Sequence, residues 1–430
     1  MNPRAVHSHF GEIVRGETEQ GLQYILVPRE LHETYVNLSV LYGSIDTRFQ
    51  LDGDDIIECP TGTAHLIEHL MFNLDNRRSL KWLNKNGAEL NATTTIDRTT
   101  YKLTYFGGNS DYLRALLRFV LHPVYAREHL EHEKNVIAKE LQVHQDIPQL
   151  RAIRMVVQAL YHNLSLRDYL SGDAETLDPI DTALIDACLR TFYRPSNMLA
   201  VIIGRYEEDT VVEALSDNDW KDNDQRRISR LEASEPLSSK QRFVFGVSNV
   251  GRSYCLVGWK EGADSKITMD ELLSRSIVCE SVLGKTGTVY QNLCTANLID
   301  DGSYRWELYH AQRYGFSFIG GYTANPLEMS QAISRAVALA QNNGPSEEDF
   351  ELKKRRLIGR SLMNSDSPQT LAKEFGFWWT RGMNYEELID RVQTVTIYDA
   401  RRSCSRLFDC KAKSVVCISS PTVEFDQHNV

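Results

Sequence analysis

Two histidines four residues apart, with a glutamate just ahead of the second, are the side chains of this sequence best suited to do chemistry. They lie in the stretch from Thr63 to Phe72, T-A-H-L-I-E-H-L-M-F. In a helix, positions i, i+3 and i+4 share one face, so His65 and His69 point the same way with Glu68 beside them. Two neutral imidazoles and a carboxylate suit a divalent zinc ion whose fourth position stays open to water. A water polarised there loses its proton near neutral pH and needs a base to take it. Glu68 stands where that base would stand.

The motif supplies two imidazoles, and a carboxylate ligand must come from elsewhere. The segment from Glu133 to Glu140, E-K-N-V-I-A-K-E, offers two candidates on a strongly helical stretch. Glu133 and Glu140 are two turns apart and share a stripe, while Ile137 and Leu141 serve the core. One carboxylate can bind a metal while the other orients a ligand or the water. The order H-x-x-E-H is itself the inverse of H-E-x-x-H and marks the inverted zinc peptidases.

H-L-I-E-H at 65–69, E-K-N-V-I-A-K-E at 133–140 and G-A-E-L-N-A-T-T-T-I-D-R-T-T-Y at 87–101 together resemble the insulinase/pitrilysin (M16) family of zinc metallopeptidases. The chain is similar over nearly its whole length to the short two-domain subunits of that family, the type related to mitochondrial processing peptidase. The resemblance implies that His65, His69 and Glu140 hold one zinc ion per chain, that Glu68 is the general base, and that Glu133 is the supporting carboxylate of the catalytic set. It implies an α+β fold of two homologous domains, each a mostly antiparallel sheet packed with helices, forming half of a clamshell chamber. In the family, the strand matching Glu89 to Ile96 is a sheet edge near the metal to which a substrate peptide adds as an extra strand. Such pairing supplies main-chain hydrogen bonds irrespective of side chains. Asn91 and Ala92 are the expected substrate contacts.

The composition, 42% hydrophobic and 25% charged over 430 residues, is ordinary for a globular chain of two or three domains. A net charge of -10 argues against a nucleic-acid partner, which would call for a basic surface. The start, M-N-P-R-A-V-H-S-H-F-G-E-I-V, has no apolar run fit for a signal segment, and no later stretch approaches a membrane span. A cytoplasmic location is the expectation. The eight cysteines are scattered without a C-x-x-C pair, a pattern of free thiols in a reducing compartment rather than of zinc ligands.

Several elements must position these residues. Strands are expected at 22–27 and 36–42, with Thr63 as the N-cap of the metal-binding helix. A short helix ending at Gly87 follows, then strands at 89–96 and 99–105 and helices at 109–121 and 127–145. Asp146-Ile147-Pro148 starts a new helix, and a buried strand closes the half near 198–204. The polar stretch 216–240 reads as a linker between an N-terminal zinc-binding domain, 1–215, and a C-terminal domain, 241–430. The second half repeats the first: a strand at 253–259, a helix at 267–283, a helix broken at Asp366-Ser367-Pro368 and a strand at 414–420. Its helix 267–283 carries no histidine, so no metal is expected there.

The pattern breaks at one place. Many M16 members carry an Arg and a Tyr in the second half that hold the substrate carbonyl. The matching segment here, Tyr290 to Tyr304, puts Cys294 at the Arg position and Asp301 near that of the Tyr. Tyr304, Arg305 and Tyr309 are stand-ins that spacing does not choose between. The resemblance therefore implies a related M16-type subunit in a heterodimer, with a homodimer as the alternative. The function expected is zinc-dependent endopeptidase action on peptides or leader segments, as in maturation of a ribosomally made peptide. The alternative is a non-catalytic structural or peptide-binding subunit.

Overall fold

The computed structural model describes residues 4–72, 77–125, 127–168, 170–220, 226–231, 233–261 and 267–421. It has two compact units that interleave in sequence. The first takes Met1–Leu141, Asp168–Glu232 and Leu362–Glu386; the second takes Gln142–Arg167, Ala233–Ser361 and Glu387–Val430.

The strands of the first unit are β1 (Arg4–Ser8), β2 (Gly11–Glu17), β3 (Gln23–Pro28), β4 (Glu33–Val40), β5 (Arg48–Leu51), β6 (Ile57–Glu58), β7 (Glu89–Thr94), β8 (Thr99–Phe106), β9 (Met198–Gly204) and β10 (Ile228–Arg230). Seven of them form one sheet in the order β1-β2-β3-β9-β4-β8-β7, antiparallel throughout except where β3 runs parallel to β9. The middle is apolar because it is covered on both faces: every residue of β9, M-L-A-V-I-I-G, is buried. The edge behaves differently. In β7 the residues Glu89, Asn91 and Thr93 are exposed, while Leu90, Ala92 and Thr94 turn inward.

Over the inward face lie α1 (Thr63–Met71), α2 (Arg77–Lys85), α3 (Asp111–Leu121) and α4 (Leu130–Asp146). Leu66, Ile67 and Leu70 of α1 share one core with Val36, Leu38 and Val40 of β4 and with Leu130 and Ile137 of α4. Each such side chain contributes about 1.5–3 kcal/mol by leaving water. That shared core holds both α1 and α4 in place.

The second unit holds β11 (Phe243–Val247), β12 (Ser253–Glu261), β13 (Arg305–His310), β14 (Gly315–Thr323) and β15 (Lys413–Ser419). Their order, β11-β15-β12-β14-β13, matches β3-β9-β4-β8-β7 strand for strand, with the parallel pair again at the first position. The helix Met269–Leu283 follows β12 as α1 follows β4, and it has no histidine. The chain is thus an α+β protein built twice.

Both proline breaks start a helix whose first turn accepts Pro, and both helices leave their own half. The helix α5 (Pro148–Leu160) packs on β12 and β15, whereas the helix Pro368–Trp379 packs on β9 and β4. Val156 of α5 sits so near Gly258 of β12 that a Cβ there would lie 2.4 Å from its Cγ1.

Two local expectations differ from what is found. The stretch 216–240 includes a strand, since β10 pairs with β5 and Arg230 donates through Nε to Asp46 at 3.0 Å; residues 221–225 and 232 lie outside the described residues. The N-cap of α1 is Gly62 rather than Thr63, whose hydroxyl instead donates to the Pro60 carbonyl at 2.6 Å. Gly62 has φ 98°, and a Cβ there would stand 2.6 Å from the Gly172 Cα. Both conditions select glycine. Gly62→Ala should therefore cost about 1–3 kcal/mol in chemical denaturation, clearly more than Gly53→Ala, where φ is also positive but the space is open. Equal losses at the two sites would contradict this account of the α1 entry.

Candidate metal centre

The short helix α1 buries Ala64, Leu66, Ile67, Leu70 and Met71, and this leaves His65, Glu68 and His69 on its remaining face. The two imidazole rings stand 4.6 Å apart between centroids, inclined at 72°. Opposite them, α4 buries Leu130, Ile137 and Leu141. That stripe turns Glu133 and Glu140 toward α1. The ligand atoms of His65, His69 and Glu140 all lie within 4.8 Å of one another, and among the described residues this is the group of His, Cys, Asp or Glu side chains that could enclose a metal ion.

Each nitrogen of His69 faces a different carboxylate. Nε2 is 3.7 Å from Glu140 Oε2, and Nδ1 is 3.3 Å from Glu133 Oε2. A carboxylate on the outer nitrogen fixes the ring and leaves the inner lone pair for a metal. Glu140 is the more open of the two acids, at 39% side-chain exposure against 16% for Glu133, so the cluster is reachable from solvent. His144, one turn beyond Glu140, is exposed and stands outside the cluster.

These residues fit zinc on their own chemistry. Tetrahedral bonds of about 2 Å put ligand atoms about 3.3 Å apart, and the observed spacing reaches that with small side-chain rotations. Two nitrogens and one oxygen leave a fourth position open. Glu68 is not spent as a ligand: its Oε2 accepts from the Thr94 hydroxyl at 2.5 Å. Burial pushes the Glu68 carboxyl above its usual range, with the charge of Glu140 adding to the rise, while the Thr94 hydrogen bonds and His69 oppose it.

Thr94 is the last residue of the edge strand, and sequence reasoning does not single it out. Its one signal there is an inward position in the alternating strand, two residues past Ala92. The strand's register places Thr94 at the open edge. Across the hairpin, Thr95 donates to the Arg98 carbonyl at 2.8 Å, so hydrogen-bonded pairs alternate back along the ladder. Thr93 and Asn91 bond to β8, while Leu90, Ala92 and Thr94 turn their N–H and C=O to the open edge. At that edge the Ala92 N–H donates to Asn91 Oδ1 at 2.7 Å, and its carbonyl accepts from the Thr93 hydroxyl at 2.8 Å. The open edge therefore ends beside Glu68.

In the second unit, Cys294 is half-buried on a short helix, and Asp301 is bound by Tyr290 and by Lys285. Tyr304 donates to the Leu283 carbonyl at 2.6 Å. Arg305 and Tyr309 both bond Glu307.

Two family models match the chain. One, described as insulinase (peptidase family M16), matches residues 58–174, and the other, the peptidase M16 inactive domain, matches residues 180–357. The chain belongs to the M16 family. Similar proteins include the uncharacterized zinc protease YmfH of Bacillus subtilis, 28% identical over 400 residues that cover 90% of this chain and 93% of that one. An M16-like peptidase from Alicyclobacillus acidocaldarius has the same fold, with a TM-score of 0.89 and 27% identity over 98% of this chain and 99% of the other. The periplasmic protease PqqL from Escherichia coli also shares the fold, with a TM-score of 0.71 and 16% identity; the match covers 95% of this chain and 47% of PqqL. Members of the family named zinc proteases thus resemble this chain over both halves. Among the described residues, no helix is long and apolar enough to cross a membrane.

The geometry around His69 has a consequence that does not depend on activity. In metal-free protein with a neutral imidazole, His69 should carry its proton on Nδ1, facing Glu133, as read from two-bond ¹⁵N correlation spectra. A dominant Nε2–H tautomer would contradict the orienting role of Glu133.

Proposed function

We propose that the chain is a zinc-dependent endopeptidase that hydrolyses a peptide held as an added strand along β7. The observation that carries this reading is the convergence of His65, His69 and Glu140 within 4.8 Å, with Glu68 free of the ligand set and held at the end of an open sheet edge. One zinc ion per chain is held by those three side chains. When bound, the metal polarises the scissile carbonyl and makes water a usable nucleophile near neutral pH.

The rest is done by the protein's own groups. The edge of β7 aligns the peptide main chain: the Ala92 N–H and C=O exchange their present side-chain partners on Asn91 and Thr93 for the substrate backbone. Alignment of this kind removes part of the entropic barrier. Glu68 takes the proton of the attacking water and returns it to the leaving amine, a transfer typically worth about 10²–10⁴ in rate. Thr94 keeps Glu68 aimed along the strand, and Glu133 keeps His69 in the metal-binding tautomer.

The second half, 241–430, works without a metal. A related M16-type subunit in a heterodimer completes the substrate site, with a homodimer as the competing arrangement. Two observations support a second chain: the residues at the expected Arg and Tyr positions are Cys294 and Asp301, and their nearest substitutes already bond within their own unit. PqqL, about half of which this chain spans, shows the same fold inside a longer chain. A reducing, cytoplasmic setting is supported by the cysteines, all eight unpaired and six of them buried. Peptides or leader segments are the substrate class, and processing of a ribosomally made peptide is the finer reading.

The test is cleavage of a peptide library, alone and with any related chain encoded nearby, with and without a chelator. Cleavage should need zinc, and Glu68→Gln should retain the metal while losing about 10²-fold or more in turnover. His65→Ala and Glu140→Ala should lose the metal itself, as zinc quantification would show. Chelator-resistant cleavage, or a Glu68→Gln protein as fast as the parent, would overturn the assignment; peptide binding without cleavage would favour the non-catalytic alternative.

A further inference from the structure

The face of the first sheet turned away from α1 carries an open groove of about 610 Å³ that the proposed reaction leaves unused. Its floor is a ladder of polar residues in register. Asn37 of β4 pairs with Lys102 of β8, and Lys102 pairs with Asn91 of β7. The next row runs Ser39, Thr100, Thr93, and the row on the other side runs Tyr35, Thr104, Glu89. Lys373, from the helix Pro368–Trp379, lines the same groove.

The charges in this groove are unbalanced. Arg98 is nearly buried and lies 3.4 Å from Asp97. Lys102 and Lys373, in contrast, form no salt bridge among the described residues; the Lys102 ammonium donates to the Thr93 hydroxyl at 2.9 Å and so leans toward the open edge. Burial lowers the Lys102 pKa, the neighbouring charges of Lys373 and Arg98 add to the fall, and the Glu68 carboxylate opposes it. A carboxylate brought to this place would relieve that repulsion and be held by two donors. Glu89, two residues along the edge, would repel the same group.

A peptide added to β7 extends the pleat, so its side chains alternate between the α1 face, where the metal cluster lies, and the groove face. A groove-facing residue level with Asn91 and Thr93 comes one strand spacing, about 4.8 Å, beyond them, within the reach of a lysine whose ammonium already meets the Thr93 hydroxyl.

We propose that Lys102 and Lys373 form a subsite for an acidic side chain of the peptide, on the side of its strand facing away from the metal cluster, so that the protein selects peptides with Asp or Glu at that one position. The inference rests on the edge-strand reading given above. It adds a rule of choice to a surface that otherwise binds any main chain.

The test uses full-length, zinc-loaded Glu68→Gln protein, with the partner chain if one is required, and fluorescent peptides of one parent sequence carrying Glu, Gln or Lys at each position in turn. At one position, Glu should bind about three- to tenfold more tightly than Gln, and Lys more weakly than either. Lys102→Glu should invert the Glu-to-Lys ratio at that position, and Lys102→Met should flatten it; Lys373→Glu should reduce it. Peptides that bind with no such position, or with a preference that Lys102→Glu leaves in place, overturn the subsite while the edge-strand reading stands. If no peptide binds the zinc-loaded protein at all, both fall together.

Discussion

The core that α1 and α4 share is the constraint on which the rest depends. A helix of nine residues cannot hold its shape alone in water, yet α1 must present two imidazoles and a carboxylate with little slack. It does so because Leu66, Ile67 and Leu70 are locked into the core shared with β4 and with Ile137 of α4. The same core that stabilises the fold sets the distance between His69 and Glu140. Nothing in either helix alone contains that distance.

The site then inherits order from the sheet. Glu68 is held from the edge strand, through Thr94, while the two histidines are held from the helix side. Three elements far apart in sequence therefore converge on one place, and their contributions differ. The helix α1 brings the imidazoles and Glu68, α4 brings Glu140 and the Glu133 carboxylate that faces His69, and β7 brings the open main-chain edge. The second unit repeats the sheet order, and its helix Met269–Leu283 carries no histidine.

Much of this was legible in the sequence, for identifiable reasons. The spacing of His65, Glu68 and His69 reads as one helical face, and Pro148 and Pro368 mark their helix starts because the ring forbids continuation. The strand β9 is a plain apolar run and β7 a threonine-rich one, while the edge position of β7 comes from the family resemblance. What could not be read depends on partners distant in the chain. The polar stretch around Ile228 looks like a linker until β5 is seen beside it. Thr63 has the side chain of an N-cap, but the close approach of Gly172 gives the position to Gly62. The exchange of α5 and Pro368–Trp379 between the two sheets leaves no local trace, since each helix is amphipathic whichever sheet it covers. The two early strands β1 and β2 lack the apolar density that would announce them, and the role of Thr94 follows only from the hairpin's register.

The central claim is that two imidazoles and one carboxylate of this chain enclose a single zinc ion. X-ray absorption at the zinc edge, on protein loaded with one equivalent, tests it most directly. The account predicts two nitrogen scatterers and oxygen scatterers at about 2.0–2.2 Å, with the imidazole pattern lost in His69→Ala. A sulfur shell at about 2.3 Å, which would place the metal on the cysteines, or a shell of oxygen alone, would contradict it.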